Sequence, residues 1–255
     1  MRRYDDILSR VRVAGGRSGI RCETLGAVHH SSPYEIVRLT VGPGSPRICL
    51  AAGIHGDEPA GVEAMVRFLE GAASRDGTHP TGLGFRIFPC NNPSGYERGT
   101  RETKGGVDLN REFGAEDPPE EVVLVQKGLE GDSFDLFVDF HEDTDGEGVY
   151  LYEICRTKGS RCRPVGRRII EVLSSRWPVD RRERIDGHPN CEGVICPEGL
   201  SDGSGLRRHG LPLPVYLYFR GVGHCMTLET PTRLPFEDRV RIHLEGLETI
   251  LSLIV

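Results

Sequence analysis

At 255 residues, 37% hydrophobic and 27% charged, the chain has the make-up of a single globular α/β unit spanning residues 1–255, and not of a disordered or fibrous protein. A net charge of -6, with short basic runs such as Arg181-Arg182 interleaved with acids, argues against a nucleic-acid partner. The start Met1–Asp6 leads into no apolar signal-like run and the closing Leu251–Val255 is too short to span a bilayer, so the expectation is a cytoplasmic protein with no membrane attachment.

The eight cysteines match no zinc-ribbon spacing and are expected mostly as free thiols in the core. Cys155/Cys162 and Cys191/Cys196 are the pairs spaced closely enough to meet.

Glu35–Val41 alternates in strand fashion, and Ile48–Ala52 is a continuous apolar run ending at Gly53, as in a buried central strand. From Glu58 to Leu69, the residues Val62, Met65, Val66 and Leu69 recur at helical spacing. A second buried strand is expected at Phe85–Pro89. Asn91–Phe113 is rich in Gly and Asn without periodicity, a long loop of the kind that carries function. Pro118-Pro119 opens a helix through Val122, Val125 and Leu129. Phe134–Phe140 is a strand ending at His141, and Val149–Ile154 is a further one. Val165–Leu173 looks helical, and Trp177–Gly210 is a polar stretch with loop signals at Asp186-Gly187, Asp202-Gly203 and Ser204-Gly205. Strands are expected at Val215–Phe219 and at Cys225–Leu228, the latter ending at Glu229; Pro235 opens a last helix. Strands alternating with helices point to a mixed or mostly parallel sheet with helices on both faces.

Gly53–Glu58 (GIHGDE) follows a buried strand and precedes a helix, which puts His55 and Glu58 beyond a strand's carboxyl end, where open α/β sheets bind ligands. An imidazole and a carboxylate this close can share one zinc, and a catalytic zinc needs a third protein ligand and an open position. His141, also at a strand end, is the best third candidate, with His224 the alternative. A His-x-x-Glu pair also occurs by chance, and spacing alone does not separate a metal site from hydrogen-bonded core histidines. His29, His30, His79, His188, His209 and His243 are read as surface or core.

The polar loop gathers Arg98, Arg101, Asn110 and Arg111. Guanidinium groups bind carboxylates bidentately, so an anionic substrate is one reading; pairing with Glu97, Glu102, Glu112 and Glu116 is the other. Glu229, at a strand end before Thr230-Pro231, is either a proton-transferring carboxylate or a surface acid before a turn. Asp57, Glu142 and Asp143 lie next to candidate ligands, in solvated or supporting roles or as holders of a second metal.

Together, Gly53–Glu58, Asn92–Gly95 (NPSG), Thr100-Arg101, Val107–Phe113 (VDLNREF), Asp139–His141 (DFH) and Leu228-Glu229 resemble the zinc carboxypeptidase family, in the family's order and over most of the chain. The resemblance implies an α/β three-layer sandwich around a mixed sheet of about eight strands. It also implies that His55, Glu58 and His141 bind Zn2+, that Glu229 is the general base, and that Arg101 polarises the scissile carbonyl. Asn110 and Arg111 would hold the substrate carboxylate, and Asp108 would orient His55. Arg98 has no counterpart. Ser94 stands where the family has an acid, Glu112 departs from Asn-Arg-Asn-Phe, and the region Ser204–Arg208 holds no substrate-capping tyrosine; Tyr216 and Tyr218 fall too close to Glu229 for that role.

The implied activity is that of a metallocarboxypeptidase hydrolysing an amide bond next to a free carboxylate by a zinc-activated water. The same motifs are shared with the aspartoacylase and succinylglutamate desuccinylase branch, so an N-acyl amino acid deacylase is the alternative, and a non-catalytic zinc-binding module is a third reading. The spacing at Gly105-Gly106-Val107 is more similar to bacterial carboxypeptidases and murein-peptide amidases. The expected partner is a small peptide or N-acyl amino acid; oligomeric state is left open.

Overall fold

The computed structural model describes residues 2–30, 32–45, 47–75, 82–156, 162–197 and 210–254, with residues 162–164 and 254 described in their backbone only. The expectations placed on His79, His209, Asp202-Gly203 and Ser204–Arg208 lie outside the described residues.

The chain opens with helix α1 (Tyr4–Gly15) and an antiparallel ribbon of β1 (Ile20–His29) and β2 (Pro33–Val41). Neither α1 nor β1 is among the elements expected above. In α1 the buried Tyr4, Ile7, Leu8, Val11 and Ala14 nevertheless recur at helical spacing, interrupted by charged neighbours. Next come β3 (Ile48–Ala52), α2 (Pro59–Ala73), β4 (Phe85–Phe88) and the short α3 (Pro93–Arg98). A 3-10 turn at Leu109–Arg111 leads to α4 (Glu120–Gly128), β5 (Leu136–Asp143), β6 (Tyr150–Cys155) and α5 (Cys162–Ser174). The polar stretch after Trp177 contains three short strands, β7 (Arg184–Ile185), β8 (His188–Cys191) and β9 (Val194–Ile195). Asp186-Gly187 and Glu192-Gly193, all at positive φ, make the two tight turns between them.

The expected strand at Val215–Phe219 is instead helix α6 (Leu213–Phe219). Pro214 occupies the first turn, where no backbone N–H is needed, and Leu213 and Leu217, four residues apart, are both buried. That one-sided burial overrides the β preference of the Val, Tyr and Phe side chains. Strand β10 (His224–Pro231) and helix α7 (Phe236–Ile254) complete the chain.

All ten strands form one mixed sheet in the order β1-β2-β4-β3-β5-β10-β6-β9-β8-β7, which corrects the expected count of about eight. The strands β4, β3, β5 and β10 at its centre run parallel. Helices α1, α2, α5 and α7 share one core with one face, and α4 and α6 share another core with the opposite face. The chain leaves β3 through α2 toward β4 on one side, whereas β5 pairs on the other, so the ends of β3 and β5 flank a crevice. Cys155 is disulfide-bonded, an exception to the mostly free thiols expected; Cys49, Cys90 and Cys225 are free and buried. No helix among the described residues is long and apolar enough to cross a membrane.

His243 of α7 is fully buried, stacked on Phe140 with ring centroids 4.7 Å apart. Burial, then the charge of His141, pushes its imidazole down to about 3. The unfolded chain therefore takes up a proton near pH ~6.5 that the fold refuses, and stability is lost as pH falls from about 6.5 toward about 3. In metal-free protein, His243→Gln is expected to flatten this acid limb by up to ~1.4 kcal/mol per pH unit. Urea midpoints across the window, variant against parent, check it; parallel curves refute it.

Candidate metal centre

Three separate pieces of chain bring the candidate ligands together. Gly53 ends β3 at φ +63, and a Cβ there would lie 2.6 Å from Val62, so glycine lets the chain turn tightly into His55. Glu58 caps α2. His141 sits within β5, which runs on to Asp143 and does not stop at the histidine as expected. All three are buried, and their ligand atoms lie within 4.8 Å of one another, the one such group among the described residues. His224 is not part of it; its Nε2 lies 2.8 Å from Glu153 Oε1 at the opposite end of β10.

One carboxylate faces both imidazoles. Glu58 Oε1 lies 2.6 Å from His55 Nδ1, Oε2 lies 2.9 Å from His141 Nδ1, and Oε2 also accepts the backbone N–H of Glu142 at 3.2 Å. Burial raises the Glu58 carboxyl, but His141 and His55 outweigh it and hold it below the ordinary range. On the far side of each ring stands a second acid: Asp108 Oδ1 is 3.3 Å from His55 Nε2, and Asp139 Oδ2 is 3.1 Å from His141 Nε2. These are ion-pair distances without hydrogen-bond alignment. Burial pushes His141 down, yet Asp139 and Glu58 prevail and favour its cationic form. Two converging imidazole nitrogens and a carboxylate oxygen, in a nest that favours positive charge, fit a catalytic zinc with three protein ligands.

The loop Asn91–Phe113 is held in place by buried polar bonds. Asn92, fully buried, accepts the N–H of Gly95 at 2.9 Å as the cap of α3 and donates to the carbonyl of Arg101 at 3.1 Å. Ser94, where the resembled family has an acid, accepts the N–H of Lys104 at 3.0 Å. Gly56 packs so closely on α3 that a Cβ would fall 1.9 Å from the Gly95 carbonyl carbon.

Arg101 pairs with Asp108 and not with the loop glutamates: its Nε and Nη2 each donate to Asp108 Oδ2 at 3.1 Å. That leaves Nη1 3.3 Å from His55 Nδ1 and 3.8 Å from Glu58 Oε1. Burial opposes ionisation of Asp108, but His55, Arg101 and Arg111 hold its carboxyl far below the usual range. Asn110 Oδ1 accepts the N–H of Leu213 at 2.9 Å, and Arg111 Nη1 donates to the carbonyl of Asn110 at 2.8 Å.

Strand register aligns Glu229 with His141 on parallel β5 and with Tyr150 on antiparallel β6. Glu229 is buried within β10, which continues past it to Pro231, so it is not the surface acid of the alternative reading. Burial pushes its carboxyl up to about 8, against the pull of His141. A cavity of about 660 Å³ is lined by His55, Glu58, His141, Arg101, Asn110, Arg111 and Glu229. Asp108 stands behind His55, and Arg98 is exposed and off the cavity.

Of the acids weighed for a second metal, two are engaged elsewhere, while the buried Asp57 Oδ1 has no hydrogen-bond partner. Glu142 accepts the N–H of Ala60 and pairs with Arg239, and Asp143 accepts the hydroxyl of Tyr150. Tyr216 packs on Phe113, and neither it nor Tyr218 lines the cavity. Sequence reading missed Tyr150, Tyr152 and the hairpin residues Asp186 and His188, all of which do. The alternation of Tyr150, Tyr152 and Ile154 was the available signal.

The family of the succinylglutamate desuccinylase/aspartoacylase catalytic domain matches residues 44–171. Carboxypeptidase D of Anas platyrhynchos is 27% identical over 195 residues, covering 63% of this chain and 13% of that protein. Carboxypeptidase E of Caenorhabditis elegans is 31% identical over 113 residues, 35% of this chain and 24% of that protein. The chain thus spans a quarter or less of these curated relatives. Among solved structures, a Shewanella denitrificans protein described as a metallopeptidase matches with a TM-score of 0.80 at 22% identity, over 98% of this chain and 90% of that one. A metallo-carboxypeptidase from Burkholderia cenocepacia matches with a TM-score of 0.69 at 19% identity, over 98% and 68%. At these identities the structural likeness is one of fold.

Asn92→Ala is expected to cost about 1–3 kcal/mol, because it leaves the buried Gly95 N–H without its partner and takes from the Arg101 carbonyl the shorter of its two bonds. Denaturant unfolding measures this, and a change below about 0.5 kcal/mol would sink the account of the loop. The chain belongs to the succinylglutamate desuccinylase/aspartoacylase catalytic domain family.

Proposed function

We infer that this member of the succinylglutamate desuccinylase/aspartoacylase catalytic domain family is a zinc-dependent carboxypeptidase, cleaving an amide bond next to a free carboxylate. The observation that carries the reading is the in-register pairing of Glu229 with His141, which sets a buried acid beside a candidate metal ligand on the wall of a shared cavity. His55, Glu58 and His141 would hold the zinc. When bound, zinc supplies Lewis acidity and makes a water acidic near neutral pH.

Glu229 is the chain's own proton carrier in this reading. Its burial raises proton affinity, which suits a group that takes a proton from water and returns it to the departing amine. Arg101, held by Asp108 with one nitrogen turned to the cluster, is placed to meet developing charge on the carbonyl oxygen. With Asn110 Oδ1 committed to Leu213, its amide nitrogen and the Arg111 guanidinium are the donors for a substrate carboxylate. Fixing that carboxylate aligns the neighbouring amide with the reacting groups.

A second reading, N-acyl amino acid deacylase, is favoured by the desuccinylase/aspartoacylase match, whose span includes all three candidate ligands, Arg101, Asn110 and Arg111. Both readings use the same machinery and differ in what lies on the acyl side. The two carboxypeptidase relatives and the Gly105-Gly106-Val107 spacing favour the peptidase.

Zinc-loaded protein is expected to release the terminal residue from C-terminally free peptides, and more slowly from N-acetyl-aspartate or succinyl-glutamate. The reverse order would establish the deacylase reading. Glu229→Gln is expected to lower kcat by roughly 10²–10⁴ with zinc content unchanged. Loss of zinc in that variant would mean that base and ligand are misassigned.

A further inference from the structure

The cavity runs away from the metal cluster along one face of β6 and β10. Register sets Glu229 opposite Tyr150, Thr227 opposite Tyr152 and Cys225 opposite Ile154. All six side chains line the cavity. Alternate residues share a strand face, so each pair lies roughly 7 Å further from the reacting end than the one before.

The chemistry changes along this path. At the first step an acid faces a phenol. At the second, the Tyr152 hydroxyl is committed to Asp186 Oδ2 at 2.7 Å, and both residues line the cavity with Thr227. At the third, Ile154 and Cys225 are 7% and 1% exposed and belong to the apolar core that continues into α6 through Leu213 and Leu217. Burial keeps the Cys225 thiol neutral. Pro214 and Val215, from the first turns of α6, also line the cavity. The carboxylate donors adjoin this apolar end, because the Leu213 N–H to Asn110 Oδ1 bond pins the Asn110-Arg111 turn to the start of α6.

We propose that the residue whose carboxylate meets Asn110 and Arg111 carries an uncharged apolar or aromatic side chain, seated on the Thr227–Tyr152 and Cys225–Ile154 pairs, with Cys225 the specificity-determining residue. The inference rests on the amide-hydrolase reading above and names its substrate class. An aspartate or glutamate side chain would place a second carboxylate against an isoleucine, a neutral thiol, a threonine and a tyrosine ring, which offer it no positive charge and only the Thr227 hydroxyl as a donor. A leucine or phenylalanine side chain leaves water for a surface that matches it.

The test uses full-length, zinc-loaded protein and N-acyl dipeptides that differ only in the C-terminal residue: Ala, Leu, Phe, Asp, Glu or Lys. The kcat/KM for Leu or Phe is expected to exceed that for Asp, Glu and Lys by at least about 50-fold. Cys225→Asp is expected to shift the Lys-to-Leu ratio upward by at least about tenfold, with zinc content unchanged. Cys225→Ala adds no charge; it is expected to keep the apolar preference and to raise Phe relative to Leu by enlarging the floor. Equal rates across the series, or a preference for Asp, Glu or Lys, overturn the proposal and leave the hydrolase reading intact. If nothing is cleaved although zinc is bound, the peptidase reading fails, and calorimetry with free phenylalanine against free aspartate decides the pocket. Tighter binding of phenylalanine supports it, and tighter binding of aspartate overturns it.

Discussion

The Glu58 carboxylate is the point on which the site depends. Its two oxygens face two imidazoles, one in the turn after β3 and one within β5, so β3, α2 and β5 must meet within a few ångströms. The parallel pairing of β3 with β5 supplies that meeting, because it delivers two carboxyl ends side by side at the place where the chain's winding direction changes. The buried bonds around Asn92, the close approach of Gly56 to α3 and the Arg239–Glu142 pair brace the three segments. Asn92, Gly56 and Arg239 do not line the cavity, although Glu142 does, yet each contact constrains where a ligand atom can stand.

The readable parts of the sequence were those where burial and periodicity agree. Ile48–Ala52 is apolar throughout because β3 is covered on both faces, and α2 shows one apolar stripe because only one side meets the sheet. Residues 215–219 misled, since their aromatic and β-branched side chains favour a strand while their tertiary neighbours reward a helix. The short strands after Trp177 were hidden for a different reason. They are two to four residues long, so no alternation accumulates, and only Asp186-Gly187 signalled a turn.

For the site, motif order picked out the residues that converge, but not how they share their bonds. Nothing in the spacing shows that Arg101 spends two nitrogens on Asp108, or that Asn110 turns its oxygen to the backbone of α6. Both facts decide which donors are left for a ligand. The cavity's far wall was also out of reach, because Tyr150 and Tyr152 acquire meaning only once β6 is known to pair antiparallel with β10. Sheet partners are a long-range property, and a single sequence carries little information about them.

Strand β10 divides its residues between two environments. Cys225, Thr227 and Glu229 face the cavity, while Met226 and Leu228 lie in the opposite core with α2, α5 and α7. Adjacent codons along this strand therefore answer to different demands, one set to ligand chemistry and the other to packing. Lineages could diversify what the cavity accepts by changing every second residue, without disturbing the helices that hold the sheet. A strand of this kind lets a family of common fold and common metal chemistry spread over many substrates by small mutational steps.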